Sequence, residues 1–562
     1  MWREKGFEAQ VPVPGATLRV DRHISLAAIT SLGLGFGLLL VAWVMATQPF
    51  AAPDEPSHYL RALSIADGHL LGPAVPYPYG GLMPAQLAWV DQGTGAVWVP
   101  AGQSPPVPCI DHKPDFAVLA PGCLEASEVG NYHPLPYLLP ALALDMSNDS
   151  TTGLYLSRLA LAIPCLAFIL LAFALLWDGS PWSLLGPLAA ITPMVLFVSS
   201  IVNPNGLELA ACLAFAASVL RIARAPTHLR VWAAFALSGA VAILAWQLGP
   251  IFVIADLALG ASLLGPAGLR TLRLFEGRRL RPPALTLITA TALYMVYGLA
   301  SGVTHSTFSI SPVAQGLHEG LSQLVPVLGN SVGTFGALTV PLPFAAYWTW
   351  WLFVAAIIFG AMWVGGRRDR SLLIAVVALA LAFPALFFAW VYRFTGFGMQ
   401  GRYVLPVMVL IPLLAGETIH RRLQTRPSHR LQELLPVGAA VLAAGFQAYA
   451  WWFNASVVAG APNTISFYAR ARRNFRLGGA HRSAGGPGSQ APQSAPQRYS
   501  RSQCSELSPH AHRSRPAREA ANSHVTPREV PGSARASPTP RCRSKGKLNP
   551  EGLAFAASGH GA

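Results

Sequence analysis

Two carboxylates, a histidine and an arginine crowd together in Pro53-Asp54-Glu55-Pro56-Ser57-His58-Tyr59-Leu60-Arg61, directly after a long apolar run. Charge at the edge of a membrane is costly unless it has a use there. A carboxylate can take a proton from a hydroxyl, and an arginine can hold a phosphate, so this cluster is the first candidate for a reaction site. The spacing predicts a short helix over 54–66, with Pro53 and Pro56 fixing its entry and Gly68 ending it. Asp54, His58 and Arg61 recur at intervals of four and three and so share a face. A plainer reading makes Asp54 an N-cap and Glu55 an acid that favours the helix dipole. That reading leaves His58 and Arg61 without a reason.

Three further groups have chemistry-bearing side chains. His133, in Asn131-Tyr132-His133-Pro134, suits phosphate binding or proton shuttling, or a simple loop hydrogen bond. Asn203-Pro204-Asn205-Gly206 has the composition of a tight turn, and Glu208 follows one turn into an apolar helix, where an acid normally faces the protein interior. Tyr392-Arg393 and Gln400-Gly401-Arg402-Tyr403 flank the last loop on the same side. Arg402 and Arg393 suit bidentate phosphate contacts, and the alternative for Arg402 is interfacial snorkelling beside Tyr403.

The elements that must position these residues are membrane helices. The chain of 562 residues is 52% hydrophobic and only 12% charged, with a mean hydropathy of +0.42, whereas soluble proteins carry about 25% charged residues. A net charge of +15 raises the question of nucleic acid. The basic residues instead lie in short loops between apolar segments and in a polar tail, the pattern of membrane orientation. No zinc spacing, P-loop or dinucleotide fingerprint is present.

A spanning helix needs about 20 apolar residues. The sequence predicts about eleven, over Ile24–Thr47, Leu154–Trp177, Ser183–Val202, Leu207–Arg221, Val231–Trp246, Pro250–Leu264, Pro283–Ser301, Phe344–Val364, Leu372–Val391, Tyr403–Thr418 and Leu434–Phe453. The fifth and sixth must turn at Gln247-Leu248-Gly249-Pro250, with one long kinked helix as the rival. The first segment is too long for a signal-peptide core and lacks a small-residue cleavage site. With the N-terminus inside, the predicted inner loops carry Arg221, Arg224, Arg230, Arg270, Arg273, Arg278, Arg279, Arg281, Arg367, Arg368, Arg370, Arg421, Arg422, Arg426 and Arg430. The predicted outer loops carry only Arg61, Lys113, Arg393 and Arg402. This asymmetry favours an N-terminus in the cytoplasm and, with an odd helix count, a basic C-terminus outside.

The expected organisation is a cytoplasmic segment over 1–23, a polytopic membrane domain over 24–477 and a disordered Ser/Pro/Arg-rich tail over 478–562. Within the membrane domain, 48–153 forms a large extracytoplasmic loop rich in Pro, Gly and Trp, read as a partly helical layer on the membrane. Cys109 and Cys123 fall in it, and outside the cytoplasm they stand equally as a disulfide or as two thiols. Cys165 and Cys212 read as inert apolar-helix residues.

The pieces PDEPSHYLRAL around Asp54, NYHPLPYLLPAL around His133, NPNGL from Asn203, GALTVPLP over Gly336–Pro343 and MQGRYVLPV around Arg402 resemble a bacterial family of polytopic membrane proteins bearing a domain of unknown function. That family is grouped with the GT-C glycosyltransferase superfamily, and the resemblance covers about residues 24–475. It implies an all-α integral membrane protein and an inverting transferase. Such an enzyme takes a sugar from a polyprenyl-phosphate donor and passes it to a cell-envelope glycan or lipid acceptor at the outer face of a bacterial plasma membrane. Carried over, Asp54 is the general base, and Glu55 orients it or helps hold a divalent ion such as Mg or Mn. Arg402, with Arg61 or Arg393, clamps the donor phosphate. His58, His133, Asn203, Asn205, Glu208 and Tyr403 complete the pocket candidates. The pattern departs at Asn205, where the family often has Asp, and Glu208 is the substitute acid.

The chemistry is coherent in itself, because a sugar phosphate is already activated. The protein must mainly deprotonate the acceptor and stabilise the departing phosphate. The partners implied are the bilayer, the lipid-linked sugar and the envelope acceptor, not nucleic acid. Two rivals are a non-enzymatic transporter or flippase for lipid-linked intermediates and an inactive assembly protein. Transporters often show inverted repeats and mid-membrane charges. The sequence shows no internal repeat and gathers its charges at the outer face, which favours the enzyme.

Overall fold

The structure is a computed structural model and describes residues 26–71, 95–100, 122–127, 129–130, 132–224, 228–301, 312–395, 400–423 and 430–459. The chain divides into two compact units, Met1–Ser483 and Ala484–Ala562. All described residues belong to the first. The predicted segment 1–23, Cys109 and the tail over 478–562 lie outside the described residues, as do the side chains of Cys123 and Arg393.

Among the described residues, nine helices are long and apolar enough to cross a membrane: Ala27–Ala46, Ser150–Leu176, Pro204–Arg224, Gly249–Leu274, Glu276–Ala300, Phe344–Val364, Arg367–Tyr392, Gly401–Leu423 and Leu434–Val458. Each coincides with a predicted segment. The other two predicted segments are present in altered form. Val231–Trp246 appears as a 17-residue helix, Leu229–Ala245. Ser183–Val202 is broken into a 3-10 turn at Pro181–Leu184 and two short helices, Leu185–Ala190 and Pro193–Val198. Pro193 has no N–H to continue a helix. Thr192 caps the second piece with its hydroxyl, and the same hydroxyl donates to the Ser331 carbonyl at 2.9 Å.

The broken stretch still traverses the bundle. At one end the Leu176 carbonyl accepts from Arg224 at 2.9 Å, and at the other Asn203 donates to the Pro53 carbonyl at 3.3 Å. Between these points lies the 21-residue helix Pro204–Arg224, about 32 Å long at 1.5 Å per residue. Irregular backbone is tolerated at membrane depth only when protein surrounds it, and residues 189–203 are buried throughout. Among the described residues, nine helices are thus long enough to cross; the broken stretch runs the length of the bundle beside them, and Leu229–Ala245 is shorter than a full span.

The turn at Gln247 is real. Trp246 is extended (φ −153°, ψ 165°) and ends its helix, which removes the single kinked helix as an alternative. The following helical stretch, Gly249–Ala300, breaks instead at Gly265, whose φ of 65° and ψ of 177° are non-helical and suit glycine.

Pro204–Arg224 and Gly401–Leu423 are buried along almost their whole length, whereas Glu276–Ala300 is largely exposed. The first two are thus the centre of the bundle, and the last is a peripheral, lipid-facing element. Small residues let the centre close up. A Cβ on Gly206 would lie 2.4 Å from the Val198 carbonyl oxygen. In the first loop, Gly95–Pro100 pairs antiparallel with Gly122–Ser127, and the Ser127 hydroxyl donates to the Ser57 carbonyl at 2.7 Å, tying this ribbon to the helix Glu55–Ala66. A second small hairpin pairs Thr334–Phe335 with Val340–Pro341. Its Phe335 ring packs on Trp43 and Phe197, at 4.7 and 5.3 Å between centroids, closing the bundle under the loop layer.

Candidate functional site

Asp54 and Arg402 are 348 residues apart in sequence and form an ion pair at the loop end of the bundle. Asp54 sits in the left-handed region (φ 57°, ψ 11°), and its carboxylate makes no capping bond to the helix that follows. The N-cap reading therefore fails, since an N-cap accepts an N–H of that helix from an extended backbone. A non-glycine residue in this conformation stores strain that its surroundings must hold. Asn203 supplies one restraint by donating to the Pro53 carbonyl. The Asp54 side chain is 46% exposed, whereas that of Arg402 is 1% exposed.

Arg402 is placed by the entry to Gly401–Met408, where Gln400 is extended and the helix starts at a glycine. A Cβ on Gly401 would lie 2.3 Å from the Ser331 backbone nitrogen, so only glycine allows the helix start to seat against Leu324–Gly333. One guanidinium nitrogen, Nη2, serves Asp54 and also donates to the Tyr403 hydroxyl at 3.1 Å. The guanidinium stacks over the Tyr403 ring, 5.0 Å from its centroid, and that ring stacks on Trp246 at 4.7 Å. Nε and Nη1 of Arg402 are buried and have no hydrogen-bond partner among the described residues, and neither does Oε1 of Gln400. Buried guanidinium N–H groups are normally satisfied. An anion placed against Nε and Nη1 would satisfy them.

Glu55 has a different role from the expected one. Its carboxylate is fully buried and clasped by Arg158, with Nε on Oε1 at 2.7 Å and Nη2 on Oε2 at 2.5 Å. Oε1 also accepts from the Val202 N–H at 3.2 Å. Arg158 completes its donors on the carbonyls of Val44, Thr47 and Gln48. Glu55 is thereby a buried anchor that ties the residue after Asp54 to three elements, not a catalytic group. Arg158 was invisible to the motif reading. Its signal was a single arginine inside the apolar run Ser150–Leu176.

Arg61 is also structural rather than phosphate-binding. Its guanidinium is buried, and each of its three nitrogens donates within the loop layer, to the carbonyls of Tyr132, His69 and Leu70 and to the Tyr297 hydroxyl. His58 does not share a working face with Asp54 and Arg61. It is buried, and Nδ1 pairs with the Tyr137 hydroxyl at 2.8 Å. Burial pushes the His58 imidazole down to about 3, with Asp54 pulling it up and Arg402 down, so it is neutral at physiological pH. His133 accepts from the Leu135 N–H at 3.3 Å and meets the Tyr297 ring edge-on at 4.9 Å, the loop role given as its alternative. Burial, then Arg61, lowers it to about 4.

Asn203 and Asn205 form the expected turn, with the Asn203 side-chain oxygen accepting from the Asn205 N–H at 3.0 Å. Asn205 in turn donates to Oε2 of Glu208 at 3.3 Å. Glu208 is fully buried, and its Oε1 has no partner among the described residues. Tyr403 belongs to the site through Arg402. Of the expected group, Asp54, Arg402 and Tyr403 converge, while Asn203 holds the Pro53 carbonyl and Asn205 pairs with Glu208, which lies near enough to Tyr403 to act on its charge.

The donor set does not suit a divalent ion. Glu55 is consumed by Arg158 and Asp54 faces Arg402, and among the described residues no three His, Cys, Asp or Glu side chains gather where they could hold a metal.

A family model described as "Predicted membrane protein (DUF2142)" matches residues 36–411. The similar solved structures include two of one protein. One is ArnT from Cupriavidus metallidurans in the apo state, at 13% identity over 77% of each chain with a TM-score of 0.42. The other is ArnT from the same organism bound to undecaprenyl phosphate, at 12% identity over 77% of each chain with a TM-score of 0.43. Among curated proteins none matches. With two thirds of its length under the family model and its helices arranged to cross a membrane, the chain belongs to the DUF2142 family of membrane proteins.

Proposed function

We propose that the protein transfers a sugar from a polyprenyl-phosphate donor to a cell-envelope acceptor. The observation that carries this reading is the buried Arg402 guanidinium, which holds a half-exposed Asp54 with one nitrogen while Nε and Nη1 go unpaired. Nε and Nη1 would take the phosphate of the donor. Asp54 would accept the proton of the acceptor hydroxyl, whose oxygen attacks the anomeric carbon. The carbon–oxygen bond to phosphate then breaks, and its electron pair leaves on the phosphate, whose charge Arg402 offsets. A direct displacement of this kind inverts the anomeric centre. Donors fixed where charge develops act strongly in a water-poor site, and the Trp246–Tyr403–Arg402 stack fixes this one.

The same reading places the site at the outer face of a bacterial plasma membrane, with the N-terminus in the cytoplasm. It is supported by Arg224, Arg367, Arg368, Arg370, Arg421 and Arg422, which lie at helix ends about one membrane thickness from Asp54. The test is replacement of Asp54 by Asn in cells lacking the native protein. An intact, inserted variant that loses one envelope sugar linkage supports the assignment, and unchanged glycans together with an unchanged lipid-linked pool defeat it. Accumulation of the lipid-linked precursor on the inner leaflet would favour a flippase instead.

A further inference from the structure

Four arginines stand apart from every ion pair so far described. After the break at Gly265 the chain is helical again, and Arg270, Arg273, Arg278 and Arg281 are all exposed. Their intervals of three, five and three place them within one face of the helix. None has a hydrogen-bond or ion-pair partner among the described residues. The opposite face is the packed one, where Glu276 is buried, accepts from the Trp232 indole at 3.2 Å and pairs with Arg279.

The arginine face is not uniformly polar. Leu274 lies among the arginines and is 79% exposed, and Leu269 at the edge is 41% exposed. An apolar side chain of this exposure inside a ring of guanidinium groups is out of place in water. It suits the boundary between headgroups and acyl chains, where arginine stems lie along apolar surface and their heads stay with the phosphates. Covalent continuity fixes the location. Residues on both sides belong to membrane-crossing segments, and Arg368 reaches the Ser262 carbonyl just before the break. The segment therefore remains at the membrane surface, at the end away from Asp54.

We propose that the face formed by Arg270, Arg273, Leu274, Arg278 and Arg281 is a docking surface for anionic phospholipid headgroups of the leaflet at that end. Four unpaired positive charges, an apolar centre and a fixed position at the surface favour lipid over a soluble polyanion. The inference does not depend on the proposed reaction.

The test uses the full-length protein in mixed vesicles containing spin-labelled phosphatidylglycerol or phosphatidylcholine at equal mole fraction. Wild type should retain phosphatidylglycerol at least about twofold over phosphatidylcholine at low salt, because surface arginines attract anionic headgroups. The preference should shrink as salt shortens the screening length. The quadruple variant R270Q/R273Q/R278Q/R281Q should approach equal retention, and its quadruple Lys counterpart should keep the preference. Should the Gln variant insert poorly, the wild-type salt series and L274E carry the test, L274E weakening retention by expelling the apolar centre. Equal retention of both lipids by wild type, a preference insensitive to salt, or an undiminished preference in a correctly inserted Gln variant would overturn the proposal. Binding of soluble polyphosphate to detergent-solubilised protein without any lipid preference would overturn it in favour of a soluble partner.

Discussion

The two ends of the central helices carry arginine in opposite ways. At the end bearing Arg224, Glu417 accepts from Arg224 at 2.7 and 2.8 Å and forms an ion pair with Arg421 at 3.4 Å, and Asp369 accepts from Arg421 and Arg422 at 3.2 and 2.7 Å. His420 and Asp178 add a contact at 2.8 Å. These charges satisfy one another and lock helix ends together. At the other end, Glu55 and Arg158 are satisfied in the same way, but Arg402 is not. A buried arginine whose neighbours use only one of its nitrogens is poor as a clamp and well suited to a missing anion. Among these buried arginines, the contrast separates those held wholly by the fold from Arg402, whose two unpartnered nitrogens carry the proposed phosphate contact.

The largest effect that sharpens this contrast is expected at Arg402 and Asp54. R402Q and D54N should each lower sugar transfer by about 10²–10³, read as loss of one envelope linkage; R402Q should change thermal stability little, and D54N should lower it because Arg402 stays buried without its carboxylate. R402K should rescue poorly, because an ammonium cannot hold phosphate and Asp54 in the same planar geometry. If these variants instead unfold and retain specific activity, the two ends are alike and the contrast is false.

Next comes Arg158. Removing one partner of a buried pair leaves the other charge uncompensated, so R158M should destabilise by about 3–5 kcal/mol. R158M/E55Q should recover much of that loss. Thermal unfolding in detergent or nanodiscs checks both. A smaller effect is expected from pH. His58 is held neutral at a value lowered from 6.5 to about 3, so below 6.5 the unfolded chain binds a proton that the fold refuses. The resulting contribution to stability is complete above pH 6.5 and is lost as pH falls toward 3. H58Q should flatten the fall in melting temperature between pH 6.5 and 4. Arg421 should matter least. Its side chain is 39% exposed, and R421Q should cost less than about 1 kcal/mol.

Much of this architecture was legible in the sequence because lipid enforces it. Apolar runs of about 20 residues mark crossings, and nine of the eleven predicted appear as long helices. The break in Ser183–Val202 was signalled by Pro187 and Pro193, but hydropathy reports burial and not helicity, and this stretch is buried by protein rather than by lipid. Asp54 and Arg402 were legible as charges at helix entries. Their convergence on one site was expected from the resemblance, but the direct ion pair was not, because it depends on how loops fold over one another. Glu55 took its expected role from the resemblance, and His58 and Arg61 were grouped with Asp54 by a shared helical face. Spacing along a helix shows which residues could share a face, while Asp54 leaves the helical conformation before the face begins. The partners that captured Glu55 and Arg61, Arg158 and Tyr297, lie 103 and 236 residues away.

The central claim is that Arg402 reads a phosphate. Its most direct test is equilibrium binding of a polyprenyl monophosphate, with the uncharged polyprenol as reference, to wild type, R402Q and R421Q in nanodiscs. The account predicts that wild type and R421Q bind the monophosphate at least about tenfold more tightly than the alcohol, the size expected of a charge-assisted contact, and that R402Q loses this preference. An equal preference in wild type and a folded R402Q would contradict it.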